Sequence, residues 1–270
     1  MRIFDFHAHY YPDHIADNVI KSLEKPRFAA FLDGTRATLE RRMREVGIEA
    51  ALNLPVATMP EQVEGINRRM AADNRAPVYC LGAMHPDYPE PGPMLKTLAA
   101  NGVKGIKMHP EYQAFNPLEP RCDKIWEGCV EHNVFVHFHA GDDVAFEPPF
   151  SSSPKVFHEL KRRYPALRMV LAHMGSLNMW DDVERLLVGG DYYFDTGYSF
   201  EFISNDQFLR IVRSHGPDKV LFGSDTPWRC LRTTIDLAMA AGLTDTEKRL
   251  FFFDNAAGLL GLTQRQLSGA

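Results

Sequence analysis

Two kinds of patterning alternate along the chain. Short apolar runs, RIFDFHAHY, AALNLPV, VYCLGAMHP, VKGIKMHP, VFVHFHAGD, RMVLAHMGS, YYFDTGYS and VLFGSDTPW, begin near residues 2, 50, 78, 103, 134, 168, 192 and 220. Between them lie stretches such as TLERRMREVGI, EQVEGINRRMAADNR, PKVFHELKRRYP and DQFLRIVRSHG, whose apolar residues recur at helical spacing beside a charged face. The runs read as buried strands and the stretches as amphipathic helices, and their alternation is the pattern of a parallel sheet with crossover helices. Eight such runs predict an α/β fold, a single (β/α)8 TIM barrel occupying residues 1–270 as one domain. A doubly wound open sheet ranks second, because no GxGxxG follows any run.

The carboxyl ends of the runs are polar, and in a barrel that is where loops assemble a site. His7 and His9 end the first run, His85 the third, Lys107 and His109 the fourth, His137 and His139 the fifth, His173 the sixth and Asp225 the eighth. Most of the chain's eleven histidines fall at these ends, and a closed barrel makes them converge. In an extended strand Phe4, Phe6 and Ala8 share one face while Asp5, His7 and His9 share the other.

Composition narrows the function classes. With 45% hydrophobic residues in 270, the chain can bury a full core. A net charge of −5 and a pI near 6.1 argue against nucleic acid or an anionic membrane as partner and favour a small-molecule substrate. No apolar stretch reaches the length of a membrane span and no basic-then-apolar leader opens the chain, so a cytoplasmic protein is expected. Cys80, Cys122, Cys129 and Cys230 are too few and too scattered for a disulfide framework. A homodimer is the base-rate expectation.

Imidazole nitrogen and carboxylate oxygen are the donors that zinc and similar ions take, with one position left open in catalytic sites. His7, His9, one histidine of the fifth run and Asp225 can supply such a set; His139 is favoured over His137 because it sits nearer the strand end. Asp225 can also accept a proton from activated water, His173 can polarise a carbonyl or shuttle a proton, and Asp5 can accept a histidine N–H or serve structure alone. Lys107 and His109 suit a substrate carboxylate, and pairing of Lys107 with a core carboxylate such as Asp5 is the structural alternative. Arg229, four residues past Asp225, can grip a carboxylate or make a surface ion pair. The long loop DDVAFEPPFSSSPKVF carries Phe146 and Phe150 as wall candidates, and Ser153 before Pro154 reads as a helix cap. Glu111, Tyr112 and Gln113 follow His109 and can reach the same mouth.

Taken in order, DFHAH, GIKMHP, VHFHAG, LAHMG and FGSDTPW, followed by NAAGLLGL, resemble the motifs of the amidohydrolase superfamily over almost the whole chain. Within it the chain resembles the branch that includes aminocarboxymuconate semialdehyde decarboxylase-type enzymes and uncharacterised metal-dependent hydrolases. The resemblance implies His7, His9, the strand-five histidine and Asp225 as metal ligands, with His173 a catalytic acid/base or a further ligand. A decarboxylase-type alignment makes His137 the strand-five ligand, and a hydrolase-type alignment makes it His139, which is preferred, leaving His137 facing substrate. It further implies one divalent ion, zinc first with manganese, iron or cobalt as alternatives; a carboxylated Lys107 bridging two ions is the second arrangement. The expected activity is hydrolysis of a small carboxylate-bearing amide, lactone or ester by metal-activated water. Metal-dependent non-oxidative decarboxylation of an unsaturated or aromatic acid is the alternative. A TatD-like nuclease is disfavoured by the acidic balance, and a non-catalytic metal-stabilised barrel ranks last.

Overall fold

The computed structural model describes residues 1–25, 28–263 and 267. Among the described residues nine strands follow in chain order: β1 (Phe4–Ala8), β2 (Ala50–Asn53), β3 (Val78–Cys80), β4 (Gly82–Ala83), β5 (Gly105–Met108), β6 (Phe135–Phe138), β7 (Met169–Leu171), β8 (Tyr193–Asp195) and β9 (Val220–Leu221). All eight apolar runs contain strands, and the third is broken into β3 and β4 at Leu81. The helices predicted from periodicity form over Arg36–Val46, Gln62–Asp73, Pro154–Arg163 and Asn205–His215. Among the described residues no helix is long and apolar enough to cross a membrane.

The chain folds into two compact units: Met1–Leu54 with Arg75–Tyr79 and Asp195–Ala270, and Pro55–Asn74 with Cys80–Phe194. In the first unit β1 pairs parallel with β2, Phe4 opposite Ala50 and Ala8 opposite Asn53, with a register shift between Asp5 and Ala8. On the other edge of β1 the Phe6 N–H donates to Phe222 O, the Asp225 N–H to His7 O and the His9 N–H to Thr226 O. Backbone bonding therefore fixes the chain after β9 alongside the histidine-bearing end of β1. Every residue of β1 is buried, as expected of a strand covered on both faces. Phe4 packs edge-on against Phe253, and Phe222 meets Phe251 and Phe252, so the LFFFD turn before the carboxyl-terminal helix Asn255–Leu260 closes this core.

In the second unit β4 to β8 form a parallel sheet in sequence order. Lys107 stands opposite His137 and Met108 opposite Phe138 in the β5–β6 ladder. Phe138 packs against Trp126 and Phe157, contributed by the helices Asp123–Glu131 and Pro154–Arg163. Alternation along the strand turns Lys107 and His137 to the opposite face, away from the helices. Ser153 sits at the N-cap position with extended backbone, and Pro154 takes the first turn as expected. Its side chain makes no capping hydrogen bond. All four cysteines are unbridged.

Candidate metal and active site

In the first unit, one ligand atom each from His7, His9 and Asp225 lie within 4.8 Å of one another. His7 Nε2 is 3.4 Å and His9 Nε2 3.2 Å from Asp225 Oδ1. The remote nitrogens are committed elsewhere: His7 Nδ1 lies 2.9 Å from Asp195 Oδ1, and His9 Nδ1 lies 2.9 Å from the Leu54 carbonyl. A carbonyl oxygen only accepts, so His9 carries its proton on Nδ1, and the Asp195 carboxylate oxygen, as an acceptor, selects the same tautomer for His7. In the neutral ring Nε2 is then a lone pair facing a carboxylate oxygen. Two imidazole lone pairs and a carboxylate oxygen turned on one point repel one another unless a cation lies among them, so these residues fit a divalent metal ion. His7, Asp195 and Asp225 are almost fully buried and His9 is partly open.

Backbone detail supports this geometry. Asp225 has φ +65°, a left-handed conformation that a non-glycine residue holds only under constraint. Its N–H bonds to His7 O at 2.7 Å, and its own carbonyl receives the Trp228 N–H. Gly197 lies against the His7 ring and Gly223 against the base of its side chain: a Cβ at Gly197 would stand 2.5 Å from His7 Nδ1, and one at Gly223 2.7 Å from His7 Cβ. A larger side chain at Gly197 meets the imidazole itself, and one at Gly223 forces a shift at His7 Cβ.

Asp5 takes a part different from the ring contact considered above. Its Oδ1 accepts the His7 and Ser224 backbone N–H groups, and its Oδ2 accepts the Ser224 hydroxyl. It ties the β1 backbone to the segment that carries Asp225, while Asp195 takes the ring proton. Burial pushes the Asp5 carboxyl up to about 7, with the Ser224 hydrogen bonds pulling the other way.

In the second unit the histidines of runs four, five and six form a buried cluster. His109 stacks on His139 with ring centres 4.0 Å apart, and His139 Nδ1 lies 3.0 Å from His173 Nε2. His109 Nε2 is 3.4 Å from Asp143 Oδ2, and ligand atoms of His109, His139 and Asp143 lie within 4.8 Å of one another. Burial first, then the neighbouring His109 and His173, hold His139 well below the ordinary imidazole range. Lys107 Nζ is 3.1 Å from His137 Nδ1, in a fully buried pair. His173 has φ +59°, and its carbonyl receives the Trp180 indole N–H.

The residues after His109 divide in role. Tyr112 meets the His109 ring edge-on and touches Phe146. Glu111 Oε1 accepts the Ser152 N–H and hydroxyl, and its Oε2 lies 3.7 Å from His109 Nδ1. Burial raises the Glu111 carboxyl above its usual range. Gln113 serves the backbone: its amide donates to Ala57 O and Met84 O and accepts the His109 N–H. Phe146 lines, with Glu111, Phe115 and Pro149, a cavity of about 250 Å³. His85 accepts the Asp87 N–H.

The structure thus gathers His7, His9 and Asp225 in one unit, and Lys107 with His137 and His109 with His139 and His173 in the other. Asp195 and Asp143 were missed by sequence reasoning. Asp195 stands midway in the seventh run, YYFDTGYS, and ends its strand β8, where the other runs carry polar residues, and that was its available signal. Asp143 lies in the loop after the fifth run and carried no pattern.

The amidohydrolase family model matches residues 4–262. The chain belongs to the amidohydrolase family. Solved structures agree on the fold. A TIM-barrel protein from Bordetella bronchiseptica is similar with TM-score 0.75 at 14% identity, over 99% of this chain and 100% of that one. A 5-carboxyvanillate decarboxylase from Novosphingobium aromaticivorans, complexed with manganese and 4-hydroxy-3-methoxy-5-nitrobenzoic acid, is similar with TM-score 0.76 at 15% identity, over 97% and 96%. A probable 2-pyrone-4,6-dicarboxylic acid hydrolase from Acinetobacter baumannii, with citric acid bound, is similar with TM-score 0.67 at 16% identity, over 97% and 100%. No curated protein matches the sequence. The α/β fold of this amidohydrolase is accordingly that of a TIM barrel, as the eight runs predicted.

Proposed function

We propose that this amidohydrolase is a metal-dependent carboxy-lyase that removes CO2 from a small aromatic or unsaturated acid without oxidation. The observation that carries the metal dependence is the approach of His7 Nε2 and His9 Nε2 to Asp225 Oδ1 at 3.4 and 3.2 Å with both Nδ1 atoms already committed. A divalent ion there supplies Lewis-acid polarisation of a substrate oxygen. The likeness to the manganese-containing decarboxylase supports both manganese as the ion and decarboxylation as the reaction. It reverses the order expected from sequence, where hydrolysis and zinc came first.

The chain's own residues then have defined tasks. Lys107, His109 and His137 bind the carboxylate; the buried Lys107 and His137 pair supplies the donors that suit an anion. As the C–CO2 bond breaks its electron pair stays on carbon, and Asp225 or His173 delivers the proton that carbon takes up. His139 is kept as the strand-five ligand for its place nearer the strand end, although a decarboxylase-type alignment would choose His137. Hydrolysis of a carboxylate-bearing lactone is the second reading, supported by the likeness to the probable 2-pyrone-4,6-dicarboxylic acid hydrolase.

The test is to incubate manganese- and zinc-loaded protein in D2O with a panel of hydroxybenzoic acids and a panel of carboxylated lactones. Release of CO2 and one deuterium at the vacated carbon supports the proposal. Ring opening of a lactone without CO2 overturns it in favour of hydrolysis.

A further inference from the structure

Two loops of the first unit leave the His7–His9–Asp225 group and meet again a few residues later. One follows β8: Asp195 holds His7 Nδ1, Gly197 lies against the same ring, and Tyr198 comes next. The other continues from Asp225 to Trp228 and Arg229. The Arg229 guanidinium carbon lies 3.7 Å from the centre of the Tyr198 ring and 5.2 Å from that of Phe202. Phe28 stacks on Trp228 at 4.6 Å and tilts against Tyr198 at 5.8 Å. An arginine and aromatic plates therefore stand directly beyond two residues that bind the metal-facing imidazole or belong to the group.

The guanidinium is only partly used. Its face is taken by Tyr198, and its Nη2 corner reaches Glu201, an exposed carboxylate, at 3.3 Å. Its Nε is buried and has no hydrogen-bond acceptor among the described residues. Stacking occupies the face of a guanidinium and leaves the in-plane donors of its edge to bind, and a carboxylate accepts two such parallel N–H groups. The Nε is closed to an incoming group, so the edge left for a carboxylate is the one formed by the two Nη groups, which now meets Glu201. Glu201, in water, is a counter-ion that an incoming carboxylate can displace.

We infer that Arg229 is a specificity-determining residue that takes a second carboxylate on an aromatic substrate, with Tyr198 holding the guanidinium in place. The inference rests on the reading above that the substrate is a small aromatic acid. It narrows that class to acids with an anionic group in addition to the one that reacts.

The experiment measures dissociation constants of benzoate and isophthalate on manganese-loaded full-length protein by calorimetry, for wild type, Arg229→Ala and Arg229→Lys. Metal content and melting temperature are recorded for each. The expected result is that Arg229→Ala weakens isophthalate by about tenfold or more while benzoate changes by less than about twofold, with Arg229→Lys in between because lysine keeps the charge and loses the fork. Equal weakening of both acids, or no weakening of either, overturns the inference and makes Arg229 a structural clamp between the loops. If wild type binds neither acid, the aromatic-acid reading itself falls, and the inference with it.

Discussion

Asp195 offers the sharpest test of the proposed metal site. Its Oδ1 accepts from His7 Nδ1 at 2.9 Å and from the Gly197 N–H at 2.7 Å, in a place with no solvent exposure. Asp195→Asn keeps an oxygen for both donors and removes the charge that makes His7 Nε2 a better donor to a metal. Asp195→Ala removes the acceptor altogether, and the close approach of Gly197 to the ring leaves little room for water to replace it. Loss of such a carboxylate behind a ligating histidine typically weakens metal binding about 10- to 100-fold, which is roughly 1.4–2.7 kcal/mol. The asparagine variant is expected near the lower figure and the alanine variant near the upper. The alanine variant also strands two buried donors, so the metal-free protein is expected to lose roughly 2–4 kcal/mol of stability. Titration of chelator-stripped protein with Mn2+ and Zn2+ measures the first effect, and urea unfolding of the metal-free protein the second. Unchanged metal affinity in Asp195→Ala would refute the reasoning, because it would mean that His7 does not bind through Nε2.

Other predictions follow from the same geometry. Gly197→Ala places a methyl group 2.5 Å from His7 Nδ1, so it is expected to lower metal content and melting temperature together; normal metal content would show that the ring can move without loss. Elemental analysis is expected to give about one ion per chain in wild type and markedly less in His9→Ala and Asp225→Asn, by the coordination argument; about two ions would bring in Lys107 as a bridge. His139→Ala and His137→Ala, compared in the same measurement, decide which strand-five histidine binds: metal loss in His137→Ala alone would sink the choice of His139. Glu111 is raised by burial, so the folded state holds its proton to higher pH than the unfolded chain and its contribution to stability declines as pH rises above the ordinary glutamate value. Glu111→Gln is therefore expected to gain melting temperature relative to wild type as pH rises from about 4.5. A constant difference across that range would contradict the assignment.

Much of this protein could be read from its residues because the strand and helix periods differ, and a barrel strand buried on both faces leaves an uninterrupted apolar run. The eight runs gave the strand count to within the break at Leu81. Polar residues ending those runs stood out for the same reason: a histidine at the end of a buried strand has no place in the core unless something there needs it. His7, His9 and Asp225 were identified in this way, and their ordered motifs carried the family.

Partnership was not encoded locally. Asp195 and His7 are 188 residues apart, and only the folded backbone makes one the acceptor of the other's ring proton. Gln113 and Asp5 look in sequence like site residues, yet their polar atoms are consumed by buried N–H and C=O groups that folding would otherwise leave unmet. Arg229 read more readily as a surface ion pair than as a substrate clamp, and that Tyr198, from another loop, lies under its face is visible only in the fold. Sequence by itself determined which residues are buried, in which elements, and of which chemical kind, because hydrophobic period and residue chemistry are properties of short segments. Tertiary structure alone decided which donor faces which acceptor, because hydrogen bonding and metal coordination depend on distances of a few ångströms between segments far apart in the chain.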